Sequence, residues 1–217
     1  MSTYVPPILT VDVVLLELRD EKLWVGLIKR DDAPFAGDYA LPGGFVHTEE
    51  DADTTATALR VIKSKAGLDN AFCEQLGTFS GPDRDPRGWS ATVVYYALVR
   101  GEHPAESALE WSDVSELGTL AFDHGELIQA ALARLRAKGS WSNLPAFLLP
   151  AKFTFSELRR AYEIVLNSQL NDSAFRRKID EVDLVEALKG QKSKSTARPA
   201  QLYQLKRDVM SAFNRRI

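Results

Sequence analysis

The stretch LPGGF at residues 41–45 carries the chemistry most easily read from this sequence. Gly43 and Gly44 form a turn ahead of a helical pattern. Backbone amides at such a place are unpaired donors, and glycine has no Cβ to hold a phosphate away from them. Cations stand nearby: Lys29 and Arg30 close an apolar run before the turn, and RDPRGWS supplies Arg84 and Arg87 with Trp89 beside them. Two guanidiniums and an aromatic face suit a diphosphate joined to a ring, the first by paired hydrogen bonds and the second by stacking. Trp89 fits a core anchor of a surface loop equally well. Phe45 stands next to the glycines, and His124 stands at the head of a later helix, where a capped helix start accounts for it.

A second group of residues suits nucleic acid. In DSAFRRKIDEVD, residues 172–183, Ser173, Arg176 and Arg177 fall in the first turns of a helix, where a recognition helix meets base edges. Arginine can read guanine with two hydrogen bonds, whereas Lys178 suits a phosphate. Phe175 and Ile179, four apart, are expected to face a core. Lys192, Lys194 and Arg198 in the later stretch KGQKSKSTARPA are expected along a backbone or in a minor groove. A basic helix and loop facing only water, or a winged helix that binds protein, are the other readings.

The elements that would position these residues follow from periodicity. ILTVDVVLLEL and LWVGLIKR read as strands joined at RDEK, and FCEQLGTFS and WSATVVYYALV as two more around the turn-rich GPDRDPRG. PFAGDYALPGG reads as loop. Ala52, Ala56, Leu59, Ile62 and Ala66 recur at helical spacing up to Gly67, a C-terminal cap. HGELIQAALARLRAKG reads as a helix with Asp123 as its N-cap. After the joining segment SWSNLPAFLLP comes the helix TFSELRRAYEIVL, with Leu158, Ala161, Tyr162 and Val165 on one side. Then follow a short turn, a helix capped by Asn171 or Asp172, and strands LVEAL and QLYQLK around a basic tip. Helix, short turn, helix and basic hairpin is the layout of a winged helix-turn-helix.

Composition sharpens the division. Residues 151–217 hold 14 Lys and Arg against 8 Asp and Glu, a net of +6, while residues 1–150 hold 13 against 22, a net of −9. A basic module beside an acidic one points to a polyanionic partner. Apolar residues make up 45% and charged ones 26%, which excludes a disordered chain. No apolar run approaches the roughly 20 residues that span a bilayer, and no signal peptide is visible. The single cysteine, Cys73, permits no internal disulfide and suits a reducing cytoplasm, and His47, His103 and His124 are too scattered for a zinc site.

LPGGF, followed by a helix that carries Arg60 and ends in Gly67-Leu68, resembles the signature of the Nudix hydrolases, which cleave nucleoside diphosphates linked to another moiety. The resemblance covers roughly residues 8–138 and implies the α/β/α sandwich of that family with its mixed sheet. The family's pattern places three glutamates at i, i+3 and i+4 after the arginine, on one helical face that holds divalent cations and activates water. Here Val61, Ser64 and Lys65 stand at those positions, and the segment from Gly44 to Arg60 is longer than usual. Lys65 puts a cation where the metal should sit. Glu49, Glu50 and Asp51 remain upstream, expected to be solvated or paired with Arg60. The resemblance therefore implies a cradle with no catalytic residue, no metal and no required cofactor.

LPGGF, RDPRGWS and AFDH together look like the ADP-ribose-recognising branch of Nudix proteins, a resemblance that implies Phe45 and His124 as further effector-binding residues. That branch joined to a winged helix, with the glutamates gone, resembles the Nudix-related transcriptional regulators of bacteria, the NrtR family. The resemblance implies an effector domain over residues 1–145 and a DNA-binding domain over residues 146–217. It implies a homodimeric repressor of NAD-biosynthesis genes on a palindromic duplex operator, with ADP-ribose or a related nucleotide as effector. Some relatives sense sugars and control sugar catabolism, so the fold alone does not fix the ligand.

Overall fold

The computed structural model describes residues 5–69, 71–101, 107–193 and 199–217; Lys194 and Arg198 of the expected wing tip lie outside the described residues. The chain divides into two compact units. The first comprises residues up to Leu16, Trp24–Leu98 and residues 102–131. The second comprises Glu17–Leu23, Val99–Gly101 and Leu132–Ile217.

The first unit is built on a seven-stranded sheet. β1 (Ile8–Arg19) and β2 (Lys22–Lys29) form a hairpin whose turn residues Asp20 and Glu21 both have positive φ, 48° and 60°. Such left-handed pairs match the twist of two-residue hairpins. Along β1, Val11, Val13, Val14, Leu15 and Leu16 are all fully buried. A strand buried at consecutive positions is covered on both faces, as in a layered α/β sandwich. The segment read as loop contains two short strands, β3 (Tyr39–Ala40) and β4 (Gly43–Phe45). They escape a periodicity search because each is shorter than two repeats of the strand pattern.

The helix α1 (Thr54–Val61) begins after Asp53, whose side chain accepts a hydrogen bond from Ala56 N at 2.8 Å. Its buried residues are Thr57, Ala58 and Val61. The expected face is therefore corrected: Ala52 precedes the helix and Leu59 is exposed. A single π-turn, Ile62–Ala66, extends the helix, and Gly67 closes it with φ 68°. β5 (Phe72–Gly81) and β6 (Ser90–Val99) pair antiparallel, and β7 (Glu110–Asp113), not foreseen in the sequence, pairs with β2. The strand order is β3-β2-β1-β6-β5, with β4 on β1 and β7 on β2. The helix α2 (His124–Gly139) follows, and the division between the compact units falls within it.

In the second unit, the joining segment is no exposed linker. Leu144–Leu148 form a 3-10 turn in which all five residues are buried. After β8 (Phe153–Thr154) comes α3 (Phe155–Leu166), started by a capping box between Thr154 and Glu157. Asn167, with φ 51°, ends it. α4 (Asp172–Glu181) is capped by Asn171, which accepts from Ala174 N at 3.0 Å. Phe175 and Ile179 point into a core with Leu158, Ala161 and Tyr162, as their spacing requires. β9 (Val185–Lys192) and β10 (Gln201–Leu205) complete a sheet ordered β8-β10-β9. β9 runs on through Lys192, beyond the LVEAL expected, so Lys192 ends a strand and does not lie in a loop.

Candidate functional site

A cavity of about 400 Å³ opens in the first unit. Thr10 and Asp12 of β1, Gly43, Gly44 and Phe45 of β4, and Arg30 just past β2 line one part of it. Arg84, Asp85 and Arg87 from the loop between β5 and β6, and Phe122 and His124 at the head of α2, line the rest. Seven of the eight residues expected to bind the ligand thus meet in one cavity: Arg30, Gly43, Gly44, Phe45, Arg84, Arg87 and His124. Trp89 does not join them; it is 50% exposed, and its carbonyl accepts Ile8 N at 3.0 Å.

Gly43 pairs across the ladder with Asp12. A Cβ on Gly43 would lie 2.0 Å from Asp12 Oδ1 and 3.0 Å from the Val11 carbonyl, so a larger residue there would have to displace the Asp12 carboxylate and crowd the ladder. His124 is buried, and its Nδ1 accepts the Leu41 amide at 2.8 Å. That bond fixes the proton on Nε2, which lies 3.9 Å from Asp12 Oδ1. Burial holds the imidazole below its ordinary pKa, so it is neutral near pH 7. His124 therefore anchors the strand end that leads into Pro42 and Gly43.

The three arginines are held in different ways. Arg84 is bidentate to Asp123, at 2.9 and 3.0 Å, and also reaches Ser90 Oγ. The Asp123 carboxylate, expected to cap α2, is thus turned to Arg84. Arg87 grips Asp85, whose carboxyl it holds below the usual range, and lies 5.7 Å from the Phe45 ring centroid. Arg30 donates to the carbonyls of Pro34 and Asp32 and stacks 4.9 Å over the Phe122 ring. Carbonyls do not neutralise its charge, which makes Arg30 the strongest anion partner of the three. Phe122 and Phe35 both adopt positive φ, 55° and 64°, and meet edge to face at 4.8 Å. Such conformations persist for bulky residues only where packing enforces them. Sequence patterns do not single out Asp12 or Phe122, although AFDH contains the second.

The three positions without carboxylates do not share a surface. Val61 is buried and packs toward Gly44, where an added Cβ would meet it at 3.8 Å, while Ser64 and Lys65 are exposed. The π-turn widens the helix at this point, so spacing of i, i+3, i+4 no longer gathers one face. Asp51 pairs with Arg60 at 2.6 and 2.8 Å, and Arg60 also donates to the Phe45 carbonyl. The pairing, led by the Arg60 hydrogen bond, keeps the Asp51 carboxyl well below the usual range. Among the described residues no group of three His, Cys, Asp or Glu is placed to hold a metal ion. Cys73, pushed up to about 11 by burial, is a poor nucleophile.

In the second unit the outward face of α4 carries Ser173 and Arg177, both exposed. Arg176 flanks them with its guanidinium 4.0 Å over the Phe155 ring, and Lys178 lies on the opposite flank near Phe213. Lys192 is exposed at the end of β9. Glu163 of α3 is buried and accepts both the Leu170 amide and Arg159, which ties the turn between the two helices to α3.

A model of the Nudix domain matches residues 6–134, and one of the NrtR DNA-binding winged helix domain matches residues 145–205. An ADPR-responsive transcriptional repressor, NtrR of Acinetobacter baylyi, is 40% identical over 93% of this chain and 83% of its own. An ADP-ribose pyrophosphatase of Methanocaldococcus jannaschii is 38% identical over 58% of this chain and 73% of its own. The crystal structure of Shewanella oneidensis NrtR complexed with a 27mer DNA covers 96% of this chain and 99% of its own, with a TM-score of 0.88 at 36% identity.

Proposed function

The chain belongs to the NrtR family of Nudix-type transcriptional regulators, and from that membership we propose that it is a repressor of NAD-metabolism genes released by ADP-ribose. We assign the effector role to residues 1–145 and the DNA-binding role to residues 146–217. The observation that carries the reading is the cavity itself: Gly43 and Gly44 line it together with Arg30, Arg84 and Arg87, beside a helix whose three glutamate positions hold Val61, Ser64 and Lys65. Such a site supplies what a diphosphate needs for binding and lacks what its cleavage needs. Arg30 and Arg87 take the diphosphate, and the Phe45 and Phe122 rings flank the sugar and base. Ser173 and Arg177 read base edges, while Lys178, Lys192, Lys194 and Arg198 hold the backbone of a palindromic operator bound by a homodimer. Arg176 is oriented by Phe155 at the groove wall.

The likeness to a pyrophosphatase supports a rival reading, an ADP-ribose hydrolase with a nucleic-acid-binding tail. Calorimetry with ADP-ribose, followed by product analysis of the same sample with Mg²⁺, separates the two. Binding without release of AMP is expected; several turnovers per second would mark an enzyme and overturn the proposal. In mobility-shift titrations, ADP-ribose should lower operator affinity by a coupling of about 1–3 kcal/mol. No preference for any upstream fragment over random duplex, with or without effector, would refute the regulator reading.

A further inference from the structure

Resting on the DNA-binding role proposed above, we infer that the segment after β10, residues 206–217, is a second backbone clamp that grips a duplex phosphate beside α4. This segment lies beyond residues 145–205, the stretch that matches the family's winged helix model. It is nevertheless anchored in the same compact unit. Phe213 N donates to the Trp141 carbonyl and Ile217 N to the Ser140 carbonyl, and Ser142 and Ala212 form an antiparallel bridge. Asn143 bonds the segment at both Val209 and Ser211. Phe213 and Ile217 pack against the core that also takes Phe175 and Ile179 of α4.

These anchors deliver two cations to the flank of the recognition helix. Arg216 shares the walls of a cavity of about 230 Å³ with Arg177 and Lys178 of α4, and Arg215 is exposed next to it. Lys178 itself lies 6.0 Å from the Phe213 ring centroid. Basic residues nearby are neutralised, Lys206 by Asp183 and Arg100 by Asp208. Among the described residues, Arg177, Arg215 and Arg216 enter no ion pair.

The geometry of a duplex accounts for the arrangement. A helix seated in the major groove has a phosphate backbone on each side of it. On α4, Arg176 stacks on Phe155, which also meets Tyr203 of β10, so that flank belongs to the wing. The opposite flank, at Lys178, belongs to the segment 206–217. The wing then follows one strand and Arg215 and Arg216 follow the other, with no sequence preference of their own.

The test compares the full chain with Arg215→Gln and Arg216→Gln, measuring affinity for operator and for random duplex from 0.05 to 0.3 M salt as set conditions on the order of physiological strength. Lys63→Gln, which removes an equal charge from an exposed site in the other unit, is the control. Each variant removes one cation from each subunit of the bound dimer, so the slope of log K against log salt should fall by about 0.9 per subunit, about 1.8 in all, and each contact is about eightfold in affinity at 0.1 M relative to 1 M. The weakening should be equal on operator and random duplex, with an unchanged melting temperature. If the unaltered chain binds and both arginine variants keep its slope, the clamp is refuted. Should the unaltered chain bind no duplex at all, the DNA-binding reading falls first and the clamp with it.

Discussion

Replacing Gly43 by alanine, and separately Gly44, should give opposite results from the same added methyl group. At Gly43 the new Cβ would sit 2.0 Å from Asp12 Oδ1, 3.1 Å from Asp12 Cγ and 3.0 Å from the Val11 carbonyl. The first approach is more than 1 Å inside any tolerable separation, on the order of a full bond length of overlap. Asp12 is only 7% exposed and stands between Gly43 and His124, so its carboxylate can yield only by moving into the cavity it lines, away from His124. Either β4 lifts from β1 or a buried carboxylate loses its place. Overpacking of this kind costs about 1–3 kcal/mol, which should lower the melting temperature by roughly 2–4 °C for each kcal/mol. At Gly44 the Cβ would meet only Val61 Cγ2, at an ordinary 3.8 Å. Gly44→Ala should leave the melting temperature unchanged or raise it, since alanine restricts the unfolded chain. Differential scanning calorimetry reads both, and titration with ADP-ribose should show the larger loss of affinity for Gly43→Ala. Equal melting temperatures for the two variants would refute the claim that the cradle is closed against Asp12.

Arg30→Ala should weaken ADP-ribose binding by about 1.5–3 kcal/mol, the scale of a charge-assisted hydrogen bond, while DNA affinity without effector stays unchanged; undiminished effector affinity by calorimetry would place the diphosphate elsewhere. Because burial lowers the His124 pKa, the unfolded chain takes up that proton first as pH falls. Stability is then full above about pH 6.5 and declines below it, by up to about 1.4 kcal/mol per pH unit; denaturant titrations of His124→Asn should lack that part of the decline. Arg177→Ala should cost about 1–3 kcal/mol on the operator and relax preference at one base pair. Lys192→Ala should weaken operator and random duplex alike, and competition binding with both duplexes separates the two behaviours.

Much of this arrangement is legible in the sequence because it rests on local signals. The capping box at Thr154 and Glu157, the left-handed Gly67 and the four-residue spacing of Phe175 and Ile179 each follow from neighbours in sequence. What escapes depends on distant partners or on very short elements. β7 has only four residues, and the pairing of Arg84 with Asp123 spans 39 positions. The face of α1 departs from its apolar periodicity because Thr57, a polar residue, is buried, its hydroxyl donating to Asp51 at 2.9 Å, whereas Leu59 faces solvent. Trp89 illustrates the limit of composition: a ring beside two arginines suggests stacking, yet only the path of β6 decides that it stays outside the cavity.

On the proposed reading, Val61, at the first glutamate position of the family's pattern, shows how a binding site can be kept without hydrolysis. Catalysis needs interactions that strengthen in the transition state, and a carboxylate face that activates water provides them. Binding needs only that the cradle keep its shape. Val61 serves the second requirement, since a buried side chain packed toward Gly44 supports β4 from behind, where a carboxylate would have had to be solvated or paired. Arg60 then turns to Asp51 and the Phe45 carbonyl, tying the segment between cradle and helix. Both side chains that flank the glycines thus hold backbone in place. On the proposed reading, that shape is what the effector recognises, and a receptor that does not consume its ligand reports its concentration.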